Sequence, residues 1–217
     1  MDLSVEKVTA FERLFAEIKE QSKQGEVADI DYNLPAPKWQ FLCWACDTKD
    51  VLVHGSGDPN IAEFEPRQSN DIFEFGNRRA VYAASDGIWA MYFAIVDRDG
   101  PVRALMNACI RVIEEDGSRS EPYYFFSING DALPHEPWRQ GTIYLLPRDT
   151  FEQQARGEMR GTLYEIQQWA SPVAVKPIGK VAVGPEDFPF LSQILPHDPE
   201  VIRERAQRDP EGFPWFD

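Results

Sequence analysis

Val5, Val8, Phe11, Leu14, Phe15 and Ile18 recur at three- and four-residue intervals, with Glu6, Lys7, Glu12, Arg13, Glu17 and Lys19 between them. That spacing lines the apolar side chains along one stripe of a helix. It predicts an N-terminal amphipathic helix that ends near Gly25. Residues 29–38 carry polar groups and prolines and read as a connector. The pattern then changes. Residues 39–44 and 51–54 are short apolar runs, read as strands or as the end of a short helix leading into one. Residues 59–77, rich in Pro, Asn, Asp and Gly, read as loop. Residues 79–84 predict a strand. Ser85 then stands where a cap is needed for an apolar helix over 88–96, with Asp86 in its first turn beside the positive helix end.

Further on, 104–113 and 122–128 predict two strands across the acidic turn Glu114-Glu115-Asp116-Gly117. Residues 142–146, 162–169, 173–175 and 180–183 supply more strands. Two short helices follow over 188–194 and 199–208, the second opened by Asp198-Pro199. Strands crowd the middle and helices the ends. The expected class is α+β, with a mixed, mostly antiparallel sheet, rather than alternating βαβ units. One domain over 1–217 is expected: an N-terminal helix in 1–25, a β-rich core over 39–185, and helices with an aromatic tail over 186–217. No internal repeat is evident.

Bulk composition narrows the function classes. Of 217 residues, 43% are hydrophobic and 12% aromatic, enough for a buried core. The formal charge of −14 repels phosphate backbones and anionic membranes, so neither a charge-held nucleic acid nor a membrane is an expected partner. The start, Met1-Asp2-Leu3-Ser4, lacks the basic-then-apolar pattern of a leader, and no run is long enough to span a bilayer. A cytoplasmic location is expected. Three cysteines do not make a disulfide framework.

The candidate chemistry lies at two strand ends. One run stops at His54-Gly55-Ser56, which delivers an imidazole, a bare backbone and a hydroxyl to one spot. Another stops at Tyr82-Ala83-Ala84-Ser85-Asp86, with Ala90 and Tyr92 on the helix beyond. Together they suggest a flat site for a planar ring with polar edges. In order and spacing these residues resemble the two N-terminal motifs of the ADP-ribosyltransferase fold, found in diphtheria toxin and the poly(ADP-ribose) polymerases. Asn60-Ile61 and the segment ending Phe64-Glu65-Pro66 extend the likeness.

The resemblance implies a split sheet of that type and NAD as substrate, its ADP-ribose passing to an unknown acceptor or to water. It implies that His54 holds a ribose, that the Gly55 backbone holds the nicotinamide amide, and that Tyr82 and Tyr92 flank the ring. Ala83 keeps the neighbourhood small, and Ser56 or Ser85 assists. A glutamate early in a late strand would complete the family pattern, stabilising positive charge on the ribose. Alignment places Gln168 there. Glu165 is the alternative, and Glu121 a third. A neutral amide at that position favours the rival reading, a non-enzymatic nucleotide- or partner-binding module.

Other constellations carry less. Cys43-Trp44-Ala45-Cys46 has the gap of a zinc half-site, but one further cysteine, Cys109, leaves the four-ligand set incomplete, so neither a metal nor a disulfide is expected. A serine hydrolase could pair Ser56, Ser85 or Ser127 with His54, His135 or His197, yet no Gly-x-Ser-x-Gly elbow exists. The tail Phe213-Pro214-Trp215-Phe216 suits packing onto the core, or docking of a protein partner.

Overall fold

The computed structural model describes residues 3–69 and 74–216. Met1, Asp2 and Asp217, and positions 70–73 of the expected loop, lie outside the described residues. Helix α1 (Val5–Lys23) follows the predicted stripe. Phe11, Phe15 and Ile18 are buried, and the Ser4 hydroxyl accepts from the Lys7 amide as its cap. Then come β1 (Ala28–Asp29), α2 (Lys38–Thr48), β2 (Val51–Ser56), β3 (Arg67–Gln68), β4 (Arg79–Ala84) and α3 (Gly87–Ile95). The second half holds β5 (Leu105–Val112), β6 (Tyr123–Asn129), β7 (Gly141–Pro147), β8 (Glu152–Gln153), β9 (Gly157–Met159) and β10 (Thr162–Ile166). It ends with β11 (Gln168–Ser171), β12 (Gly179–Val183), β13 (Leu195–His197) and α4 (Pro199–Arg208). The class is α+β.

The run over 39–44 is helical. It buries Phe41, Leu42, Trp44 and Ala45, a helical rather than alternating set, against α1 through Phe11 and Phe15. A six-residue apolar run has no period of its own to settle that choice. Residues 173–175 make no strand, only the bridge between Phe64 and Val175. Over 188–194 there is one 3₁₀ turn, Leu191–Gln193, after another at Pro185–Asp187. Pro189, which lacks an amide hydrogen, prevents a continuous α-helix between them.

Two sheets form. The first runs β1-β12-β7-β2-β4-β11-β8 with β3 on β4, and the second runs β13-β6-β5-β10-β9. Neighbours are antiparallel except β1 with β12 and β13 with β6. The single strand expected over 162–169 is in fact two, β10 in the second sheet and β11 in the first. Gln167 is the crossing point. Its amide donates to the Cys109 carbonyl in β5, and its carbonyl accepts from Ser85 beyond β4. Each half alternates correctly, so the period of 2 carries no sign of the switch.

Between the sheets lies α3. Of its nine residues all but Phe93 are buried, so it is apolar around its whole circumference, as a central helix must be. Asp86 caps it in place of the expected Ser85, its carboxylate accepting from the Trp89 amide at 2.8 Å. Toward the first sheet α3 rests on bare backbone. A Cβ at Gly55 would overlap the Ala90 carbonyl, and one at Gly141 the Ala94 carbonyl. Toward the second sheet, Trp89 Nε1 donates to Asn107 at 2.7 Å, and the Tyr92 ring packs on Phe126. Among the described residues no helix is long and apolar enough to cross a membrane.

The close approach generates a first prediction. Gly55→Ala should destabilise the fold by about 1–3 kcal/mol, the usual cost of overpacking. Urea unfolding measures this, and an unchanged midpoint would show that α3 can move off β2 freely.

Candidate functional site

β2 and β4 share one ladder pair, Val53 opposite Ala84. Past it His54 spans the gap, its Nδ1 lying 2.7 Å from the Tyr82 carbonyl. A carbonyl only accepts, so Nδ1 carries the proton and Nε2 is the lone-pair nitrogen of a neutral imidazole. Burial lowers the basicity of His54, the bond to Tyr82 opposes that, and the charge of Arg67 lowers it further. Phe64 lies on the imidazole with ring centres 4.6 Å apart and meets Tyr144 edge-on at 5.1 Å. The buried Tyr144 hydroxyl donates to the Asp58 carbonyl and accepts from the Ile61 amide, which ties down the loop after β2. The Ser56 hydroxyl is used locally, accepting from the Asp58 amide.

The expected slot is not assembled from His54, Tyr82 and Tyr92. Successive side chains leave opposite faces of a strand. Val53 and Ala84 share the α3 face, so His54 and Ala83 leave by the other one. Tyr82 sits opposite Ala170 and shares the α3 side with Ala84. Its hydroxyl accepts from the Arg78 amide at 2.8 Å and lies 3.0 Å from the Phe75 carbonyl. Tyr92 is wholly buried. Its hydroxyl donates to the Ser127 carbonyl at 2.9 Å, and Phe126 and Phe188 cover its ring. The Cβ-side face of Gly55 is taken by α3, so an open approach to that face is lost.

The candidates for the third motif are also separated. Glu165 belongs to the second sheet and is 4% exposed, held by Arg119 and Arg156. Gln168 is opposite Ala84, on the α3 face and away from the His54 side chain. Glu121 is exposed in the connection from β5 to β6. A residue that sequence reasoning missed is Gln167. It is 6% exposed, its Oε1 accepts from Ser85 Oγ at 2.9 Å, and its Nε2 has no partner among the described residues. Two adjacent glutamines gave no signal as to which one would turn inward.

Sequence reasoning also assigned Asp86 only to the helix end. The carboxylate accepts in addition from Tyr124 Oη at 2.6 Å, with Cys43 Sγ at 4.0 Å. Burial raises its pKa, while the bonds from Tyr124 and the Trp89 amide lower it. Burial likewise raises Cys43, Cys46 and Cys109, with Asp86 adding to each. All three are free thiols, and among the described residues no group of His, Cys, Asp and Glu is arranged for a metal ion. Tyr124 also lines a cavity of about 260 Å³ with Phe125, Phe126, Phe190, Gln193 and Leu195. Ser127 Oγ lies 2.5 Å from His197 Nδ1, but the serine is wholly buried between β5 and β13. Phe213 and Phe216 of the tail both pack on Phe125, with ring centres 5.5 and 5.3 Å away.

Two histidines, the half-buried His54 and the buried His197, set a pH response. Burial lowers the pKa of His54 and of His197 below 6.5. The unfolded chain therefore takes up protons near pH 6.5 that the native state refuses, and stability falls as the pH drops through that value. His54→Asn can keep the bond to Tyr82 without titrating. Urea midpoints at pH 7.5 and 5.5 should differ less for the variant than for the wild type. Equal differences would mean that His54 does not contribute.

No family model matches this chain, and comparison with curated proteins and with solved structures finds no match for it.

Proposed function

We propose that this chain is a nucleotide-binding protein of ADP-ribosyltransferase type, with NAD as its reference ligand, that binds without efficient transfer. One observation carries the reading, the setting of His54. Its tautomer is fixed by the Tyr82 carbonyl, it is half-buried at the point where β2 and β4 part, and its Nε2 has the lone pair that a ribose hydroxyl would donate to. Arg67, on β3 opposite Ala80 of β4, lowers the basicity of the imidazole through its charge, and would supply positive charge for a pyrophosphate in a chain whose net charge is −14. The resemblance of His54-Gly55-Ser56 to the first family motif supplies the ligand class; Tyr82 and Tyr92, on the α3 side, do not flank a ligand beside His54 as the second motif implies.

The chemistry argues for binding over turnover. Breaking the bond between ribose and nicotinamide builds positive charge on the ribose, and a facing carboxylate is what stabilises it. The Glu165 carboxylate is committed to two guanidiniums in the other sheet, and Gln168 is neutral and on the other face. Transfer of ADP-ribose to an acceptor, or hydrolysis of NAD, is the rival.

Thermal unfolding with NAD, ADP-ribose and nicotinamide tests the reading. A ligand at a hundred times its Kd should stabilise by about 2.7 kcal/mol, and His54→Ala should remove most of the gain. No shift with any of the three sinks nucleotide binding. Chromatography should detect no nicotinamide above the blank, for the wild type or for Gln168→Glu. Release by the wild type would establish the transferase instead.

A further inference from the structure

Glu165 raises a question that the nucleotide reading leaves open: why a carboxylate 4% exposed is held by two arginines that are each more than half exposed. Arg119 comes from the connection between β5 and β6, and Arg156 from the residue before β9. They reach Glu165 from either side of β10. Arg119 grips both oxygens, Nε at 2.7 Å from Oε2 and Nη2 at 3.2 Å from Oε1. Arg156 directs Nε and Nη2 at Oε1, both at 2.8 Å. Two guanidiniums thus converge on one oxygen. These contacts use Nε and Nη2 of each arginine and leave Nη1 outside them.

Within direct contact the charges do not close: one carboxylate touches two guanidiniums. Arg111, opposite Glu165 in the ladder, donates to the Ser120 carbonyl and lies 3.9 Å from Asp47. Glu158, across from Leu163 on β9, shares the Glu165 face and offsets part of the excess positive charge from a distance, while the direct contacts of both arginines go to Glu165. Like charges held this close repel, and an arriving anion relieves that repulsion while using donors already fixed in place. Planar forks suit phosphoryl oxygens, which accept two parallel N–H bonds. The overall charge of −14 repels polyanions such as nucleic acids, so the ligand is small.

We infer that Arg119 and Arg156, positioned by Glu165, form an anion clamp for a small phosphorylated ligand, separate from His54. The test is the melting midpoint of the full chain with sodium pyrophosphate, at ionic strength matched by sodium chloride, with citrate as the carboxylate comparison. Pyrophosphate should raise the midpoint of the wild type. Arg119→Gln and Arg156→Gln should each weaken the apparent affinity about tenfold or more, and Arg→Lys at either position should not rescue it, since lysine lacks the fork. Should a glutamine variant fail to fold by circular dichroism, the lysine variant at that position is read by the same criterion. Arg203→Gln, on α4 and paired only with Glu200 among the described residues, lies outside both sites and should leave the pyrophosphate response intact. A wild type that does not respond, Arg119 and Arg156 variants that respond as the wild type does, citrate matching pyrophosphate, or loss of response in Arg203→Gln would each overturn the clamp.

Discussion

Everything in this fold is arranged around the contact of α3 with bare backbone. An apolar helix without a polar face must be covered on all sides. Here one side is met by two glycines, Gly55 and Gly141, that let the helix carbonyls of Ala90 and Ala94 come against the strands. The other side is met by Phe126 and Asn107 of the second sheet. Two sheets can therefore share one core without facing each other directly. The same contact turns the Cβ-side face of Gly55 into packing surface and leaves His54, one residue earlier, on the far face.

Beside the shared apolar core, polar groups tie the sheets together. Gln167 gives its amide to one sheet and its carbonyl to the other. Asp86 caps α3 and accepts from Tyr124 of β6, so the start of the central helix is tied to the second sheet by one carboxylate. Tyr92 adds a further tie through the Ser127 carbonyl, and Trp89 another through Asn107. Side chains that a search for an active site would claim are thus spent on holding layers together.

Three ionisable groups, His54 half-buried and Asp86 and Glu165 buried, illustrate three ways to meet the cost of burial. His54 stays neutral and uses its one proton on a backbone carbonyl. Asp86 takes two short-range donors while burial raises its pKa. Glu165 is paired with guanidiniums whose other edges reach solvent. A carboxylate so paired has little charge left to offer a distant ribose, which is why its role here is to position the arginines.

The sequence by itself determined the amphipathic α1, the strands matching β4, β5, β6, β7 and β12, the α4 cap at Asp198 and the α+β class. Each is set by local periodicity or by a cap within a few residues. It also marked the strand end at His54 as a place where polar groups interrupt an apolar run. Tertiary structure alone decided which face each group takes. His54 and Tyr82 part because the Val53–Ala84 pairing puts them on opposite faces, and no spacing within either segment encodes that register. The break at Gln167 and the inward turn of Tyr92 were likewise settled by partners on distant strands. The arginines on Glu165 lie 46 and 9 residues away along the chain, and only the pairing of β10 with β5 and β9 brings all three together.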